Sequence, residues 1–426
     1  MKKIIYKLRV HFLAILGGLF FLTSCNKDLE QFAAIPKPVY PTGPGIAATL
    51  AADPNYSFYS AMITRAGLTA SLNDSTKTFT LFATDNAGMR LFVSAASGGL
   101  IPPVGAPDAT YLGFISTILP AASAAGIVQY NTVGQKLPFS SIPTTFPNYP
   151  YTSQIILDPN QPFVRLPIFP VRGTTFSYVN TLPVIATDKV AANGVIHTTF
   201  SIVTPPSATL RAMIAAEPTL SYFRAAILRA DSGAVVKPNN DSTNFLNYLL
   251  GYGVTNMTVL TPNDAAFQTL VFGLVYSQVF AATGNAALAV ATANGAVAAG
   301  PAFLSTNNVS TALVKGLMAY HFLASNSTPV NTTGSYKPDI RVFSNNIPAT
   351  PIFIKTLVNG GIAAHPGISA QSTYTGPFAT SIAFKGYGTF PPGGAPYSGA
   401  AATTVAIDKH AVNGVYHIIN SVLLPQ

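Results

Sequence analysis

Apolar residues recur along the chain with two periods, and each pattern occurs twice. Tyr59, Met62, Ile63 and Ala66 fall at i, i+3, i+4 and i+7, and Phe223, Ala226, Ile227 and Ala230 repeat that spacing. Each set lines one face of an amphipathic helix. Residues 78–82 and 257–260 are short apolar or β-branched runs, which predicts two buried strands. The turns after them, Thr84-Asp85-Asn86-Ala87 and Thr261-Pro262-Asn263-Asp264, carry side-chain oxygens able to cap free helical amides. Towards the end of each half stand Asn193-Gly194 and Asn413-Gly414, dipeptides that favour hairpin turns. Alternation beyond them puts Ile196, Thr198, Phe200 and Ile202 on one strand face, and Tyr416, Ile418, Asn420 and Val422 on another. The predicted class is α+β, with helices early and strands late in each half.

The doubling extends to identity. Residues 186–206 and 406–426 agree at about ten of 21 positions, among them Asp188/Asp408, Asn193/Asn413, Gly194/Gly414, His197/His417 and Pro205/Pro425. Residues 53–66 align with 217–230, and residues 80–87 more weakly with 258–265, in the same order. The simplest reading is two copies of one domain. The second copy is longer, and much of its excess lies between His321 and Asp408, where Pro, Gly, Asn, Ser and Thr are frequent. Such insertions belong on surface loops.

These motifs resemble those of fasciclin-type domains. The family's first signature, roughly T-x-F-A-P-T-(N/D)-x-A-F, is largely met by TVLTPNDAAF at residues 258–267 and less fully by TLFATDNAGM at residues 80–89. The second, N-G-x-(I/V)-H before a hydrophobic strand, is met at Asn193, Gly194 and His197 and at Asn413, Gly414 and His417, with Tyr416 departing from the usual aliphatic. The internal Tyr-His motif stands as Tyr320-His321, whereas the first copy has Tyr130-Asn131. The resemblance implies two tandem domains, each a small β-sheet wedge with flanking helices. It also implies adhesion or ligand binding outside the cell, with Tyr320 and His321 as contact residues and no shared cofactor.

The N-terminus reads as an address. Lys2, Lys3, Lys7 and Arg9 precede an apolar stretch at residues 12–22, and Leu22-Thr23-Ser24-Cys25 then resembles a bacterial lipobox. Cys25 would be acylated and become the first residue of the processed chain, anchored in the cell envelope by its acyl chains. Asn26-Lys27-Asp28-Leu29-Glu30 resembles a tether leading to the outer face of the outer membrane. Pro36, Pro38, Pro41 and Pro44 extend it as a spacer. The expected divisions are a leader at 1–24, a tether at 25–46, one domain at 47–206 and a second at 207–426.

Composition narrows the function. Of 426 residues, 49% are hydrophobic and 9% charged, against about 25% charged in ordinary soluble proteins, so disorder is excluded. The longest apolar tract, residues 270–304, is interrupted by Ser277, Gln278, Thr283, Asn285, Thr292 and Asn294, which argues against a polytopic membrane protein. One cysteine excludes an internal disulfide framework and multi-thiolate zinc sites. The net charge of +9 falls partly in the leader, and the other basic residues are scattered singly, which argues against nucleic acid as a partner. No H-E-x-x-H, G-x-S-x-G or phosphate-cradling glycine motif stands out. Asp188 and Asp408 read as turn residues and His197 and His417 as core histidines, so neither an enzyme nor a metal site is expected. Phe146, Tyr149 and Tyr151 form a loop that could meet glycan or protein. A second function is therefore kept open, that of a glycan-binding component of a surface polysaccharide uptake system.

Overall fold

Two β-sheets, each flanked by helices, are built around the same central pair of strands. The computed structural model describes residues 39–144, 148–233, 246–305, 309–324, 340–359, 365–389 and 394–425. Thr42–Gln426 form one compact unit. The first sheet contains β1 (Phe79–Thr84), β2 (Thr132–Val133), β3 (Tyr151–Ile156), β4 (Arg165–Ile168), β5 (Pro170–Val171), β6 (Tyr178–Val179), β7 (Leu182–Ala191) and β8 (Gly194–Thr199), in the order β4-β3-β2-β1-β8-β7-β6-β5. The second contains β9 (Met257–Pro262), β10 (Ile352–Ile354), β11 (Ile368–Thr375), β12 (Phe378–Lys385), β13 (Ala402–Ala411) and β14 (Gly414–Ile419), in the order β10-β11-β12-β13-β14-β9.

The repeated sequence blocks become repeated pairings. β1 runs parallel to β8 with Phe79 opposite Gly194, and β9 runs parallel to β14 with Met257 opposite Gly414. All six residues of each of these four strands are buried, as expected for strands covered on both faces. β7 and β13 pair antiparallel with β8 and β14 and bulge at matching places, between Ala186 and Lys189 and between Ala406 and Lys409. The bulges hold Asp188 and Asp408 in the left-handed region, at φ 59° and 56°, which Asp tolerates better than most residues.

The predicted helices form at Ser57–Arg65 and Ser221–Ala230, burying Tyr59, Met62 and Ile63 and Phe223, Ala226, Ile227 and Ala230. Asp85 caps the helix Asn86–Ala96 through Gly88 N at 2.9 Å, and Asn263 caps Asp264–Thr283 through Ala266 N at 2.9 Å. The next residue of each turn caps the neighbouring helix: Phe58 N donates to Asn86 Oδ1 at 3.1 Å, and Tyr222 N to Asp264 Oδ1 at 2.8 Å. Two adjacent Asx residues thereby fix two helix starts, a physical reason for that signature.

Three expectations are corrected. The turn in each hairpin is Ala192-Asn193 or Val412-Asn413, not Asn-Gly, since Ala191 already pairs with Gly194 and Ala411 with Gly414. The regular strands stop at Thr199 and Ile419; Phe200 N and Asn420 N still donate to Pro183 O and Thr403 O at 2.9 and 3.0 Å, but Phe200 is exposed and Ile202 buried, so the predicted shared face ends with the strand. Finally, Ser277 and Gln278 interrupt the apolar run but not the helix, which continues over Asp264–Thr283 and turns back as Ala286–Ala298. The Ser277 hydroxyl bonds Leu274 O within the helix, so it disrupts nothing. Among the described residues, Asp264–Thr283 is long and apolar enough to cross a membrane by length and composition.

Candidate functional site

Each copy contains one cradle built from the Asn-Gly-x-x-His block. Asn193 is buried; its Oδ1 accepts from Ile46 N at 2.9 Å, and its Nδ2 donates to Leu72 O at 2.9 Å and Asp74 O at 3.1 Å. Asn413 does the same with Leu210 N at 2.8 Å, Leu250 O at 3.0 Å and Tyr252 O at 3.1 Å. The amide ties the first helix of each copy to the hairpin that ends it. A Cβ on Gly194 would run into Phe79 O, and one on Gly414 into Met257 O, so the neighbouring parallel strand selects glycine.

His197 and His417 are wholly buried, and both ring nitrogens are occupied. His197 Nδ1 accepts from Asp188 N at 3.2 Å while Nε2 meets Leu137 O at 2.9 Å. His417 has the same arrangement with Asp408 N at 3.2 Å and Val342 O at 3.0 Å. This hydrogen-bond pattern requires the neutral ring protonated on Nε2. Burial lowers both pKa values, against the opposing pull of Asp188 or Asp408 and of the backbone acceptor. The carboxylates have structural duties of their own, Asp188 accepting from Phe139 N at 2.8 Å and Asp408 from Ser344 N at 2.8 Å. Among the described residues, no group of three His, Cys, Asp or Glu side chains could hold a metal ion.

Tyr320 and His321 are each 0% exposed, so neither forms the contact surface that the resemblance implies. Tyr320 Oη accepts from Tyr387 N at 3.0 Å, and burial pushes its pKa up to about 12. His321 Nδ1 meets Leu317 O one helical turn back at 2.8 Å, and Nε2 accepts from Leu423 N at 3.0 Å. Burial holds its pKa down to about 4. In the first copy Asn131 takes the same station: its Nδ2 donates to Ile127 O at 2.9 Å and to Val203 O at 2.8 Å. In both copies this position latches a helix end to the segment after the last strand. Cys25 and Phe146 lie outside the described residues. Tyr149 is 60% exposed, whereas Tyr151 is buried and meets the Tyr149 ring edge-on at 5.4 Å.

The two copies also meet, a feature that repeat spacing could not reveal. The Phe169 and Phe343 rings stand edge-on at 5.8 Å, Arg341 lies 4.8 Å over the Phe169 ring, and the Asn148 and Asn346 amides pair at 2.6 and 2.9 Å. Beside this contact opens a cavity of about 440 Å³, lined by Arg172, Tyr178, Asn345, Asn346 and Tyr374 among others. The Asn345 Oδ1 atom is buried without a partner. Guanidinium, phenol and amide groups thus converge on one opening.

No family model matches the chain, and no curated protein matches it. Among solved structures it is similar to a FAS1 domain pair from the insect cell adhesion molecule fasciclin I. That similarity amounts to 12% identity over 86% of this chain and 96% of that chain, with a TM-score of 0.31.

Proposed function

We propose that this chain is an envelope lipoprotein, anchored through Cys25, that mediates adhesion or ligand binding through two fasciclin-like domains and performs no chemistry of its own. The observation that carries the reading is the doubled cradle. Asn193 and His197, and Asn413 and His417, spend their polar groups on the fold, so the repeated motif itself supplies no free ring nitrogen for catalysis. The leader and lipobox motif at residues 1–25 supports the anchor, on the outer membrane and facing outwards. Tyr320 and His321 act through the fold, and binding falls instead to exposed loops and to the cleft between the copies.

The cleft favours a second reading as well, capture of a glycan for uptake. Tyr178, Tyr374, Arg172 and Asn346 bring aromatic rings, a guanidinium and an amide to one opening, a combination suited to a sugar ring. Two experiments test these readings. Cys25→Ala should move the protein out of the membrane fraction, and unchanged fractionation sinks the anchor. Titration against a polysaccharide panel should give saturable binding that Arg172→Ala weakens if glycan is the ligand; a flat titration leaves protein adhesion as the reading.

A further inference from the structure

We infer that the helical hairpin at residues 264–298 dips its tip into a lipid bilayer, forming a membrane contact independent of Cys25. The hairpin has no counterpart in the first copy, where the equivalent helix Asn86–Ala96 ends after 11 residues. Its root is fixed in the second copy. Phe267 and Val271 are buried in the core, Tyr222 stacks on Phe267 at 6.0 Å, and Tyr222 Oη donates to Val297 O at 3.1 Å. The two helices close on each other through Ala289 and Ala293, both wholly buried. Beyond the root every residue from 280 to 288 is exposed, including Phe280 at 44% and Leu288 at 48%.

Three features select lipid as the occupant. First, residues 265–314, about fifty in succession, contain no Asp, Glu, Lys, Arg or His, in a chain whose other surfaces carry charge. Second, Asp264–Thr283 is apolar on all sides, yet only 17% of its most apolar window is buried. A helix that is hydrophobic all round belongs in a core or in a membrane; a protein partner would cover one face, whereas lipid solvates all of them. Third, the hydroxyls and the helix start of the hairpin are satisfied internally, which lowers the cost of entering lipid. The hydroxyls of Thr269, Ser277, Thr283 and Thr292 donate to carbonyls three or four residues back, and Asn285 caps the returning helix through Leu288 N at 3.0 Å. A ladder of Phe272, Tyr276 and Phe280, with ring centroids 6.1 and 5.8 Å apart, runs towards the tip. The fully exposed tip, residues 280–284 before the chain turns back, extends about 7 Å at 1.5 Å per residue, the depth to which interfacial helices sink at the edge of the hydrocarbon.

The chain contains no tryptophan, so a single indole reports on one place. Full-length protein carrying Cys25→Ala and Phe280→Trp should blue-shift when mixed with phosphatidylcholine vesicles, and brominated acyl chains should quench it. Vesicles containing phosphatidylglycerol should act equally, and high salt should not reverse the effect, because the hairpin beyond Asp264 bears no charge. Tyr149→Trp, on a loop of the first copy, should show neither change, which separates tip insertion from adsorption through the leader. Adding Leu288→Asp should weaken the response about a hundredfold, since a carboxylate is carried into hydrocarbon. Both positions are exposed, so the thermal melt should stay unchanged. The inference is overturned if the indole at 280 ignores vesicles, or if it responds only to anionic vesicles and salt reverses it. A blue shift that grows with protein concentration without vesicles would assign the hairpin to a second copy of the chain and likewise overturn it.

Discussion

The two copies share a scaffold and differ in what is attached to it. Thr80 Oγ1 donates to Gln135 O and accepts from Leu137 N, and Thr258 Oγ1 does the same with Ile340 O and Val342 N, all at 2.7 to 2.8 Å. With the Asn clamp, the close-approach glycine, the bulge aspartate and the doubly bonded histidine, these make one cradle built twice. Around it the copies diverge. Asn131 replaces His321 at the latch, the exposed Lys136 replaces the buried Arg341, and a short helix replaces a long hairpin. Positions that bind backbone across the central strands stay the same, whereas the buried latch, the junction position and the outward-facing helix change. The duplicated motif therefore reports on folding, and the search for function belongs where the copies differ.

The sharpest way to break this equivalence is to attack the cradle in each copy separately. Gly194→Ala and Gly414→Ala each force a methyl into a backbone carbonyl that cannot retreat without opening the parallel pair. We expect a loss of about 3 kcal/mol or more in either case. Asn193→Ala and Asn413→Ala should cost about 2–4 kcal/mol by leaving buried amides and carbonyls unsatisfied. Urea unfolding of the four variants checks this. Losses that match between copies sustain the equivalence; a cradle variant that leaves one copy unaffected breaks it.

The latch separates the copies by pH. The pKa of His321 is held down to about 4 by burial, against about 6.5 for an exposed imidazole. Between these values the unfolded chain binds a proton that the folded chain refuses. Stability from this residue is thus complete above about pH 6.5 and falls as pH drops towards 4, by about 3 kcal/mol. His410 and His417 of the second copy are also lowered, whereas the first copy has His197 alone and Asn131 at its latch. The second copy should therefore be the acid-sensitive one. His321→Asn, which installs the first copy's latch, should flatten the fall in stability between pH 6.5 and 4.5 in denaturant titrations. An unchanged slope would show that the latch histidine is not what distinguishes them.

Much of the scaffold was legible in the sequence because its determinants are local. Tyr59, Met62 and Ile63 mark a helix by spacing alone, and Asp85 and Asn263 mark helix starts by their capping oxygens. The hairpin turn was displaced by one residue because Asn-Gly is a turn dipeptide, whereas here Asn193 serves a buried clamp and Gly194 a tight strand contact. The Tyr-His motif implies contact residues at Tyr320 and His321 but carries no information on burial; only the packing of residues 387 and 423 against them reveals the latch. The cleft was invisible for a related reason. Phe169, Asn148 and Tyr178 lie far along the chain from Phe343, Asn346 and Pro377, and no periodicity links residues that meet only across the two halves of the chain.

The smallest effect expected concerns Arg341, the cation at the junction. Its guanidinium is wholly buried, with Nε unpartnered, and it donates to His410 Nε2 at 2.9 Å and Val412 O at 3.1 Å while lying over the Phe169 ring. Among the described residues no carboxylate bonds it, and burial brings its pKa down to about 10, so it stays charged at neutral pH at the expense of desolvation. Arg341→Met keeps the volume and sheds that penalty, offset by the loss of its bonds to His410 Nε2, Ala411 O and Val412 O. Stability should change by about 1 kcal/mol or less, whereas Arg341→Ala should cost about 3 kcal/mol by opening a cavity beside Phe169. The charge also helps to depress His410, after burial itself. In the Met variant the His410 ring should therefore titrate at higher pH, which NMR resolves. If Met proves as costly as Ala, the junction depends on the cation and not on its volume, and the exposed Lys136 of the first copy then marks a difference in docking as well as in surface.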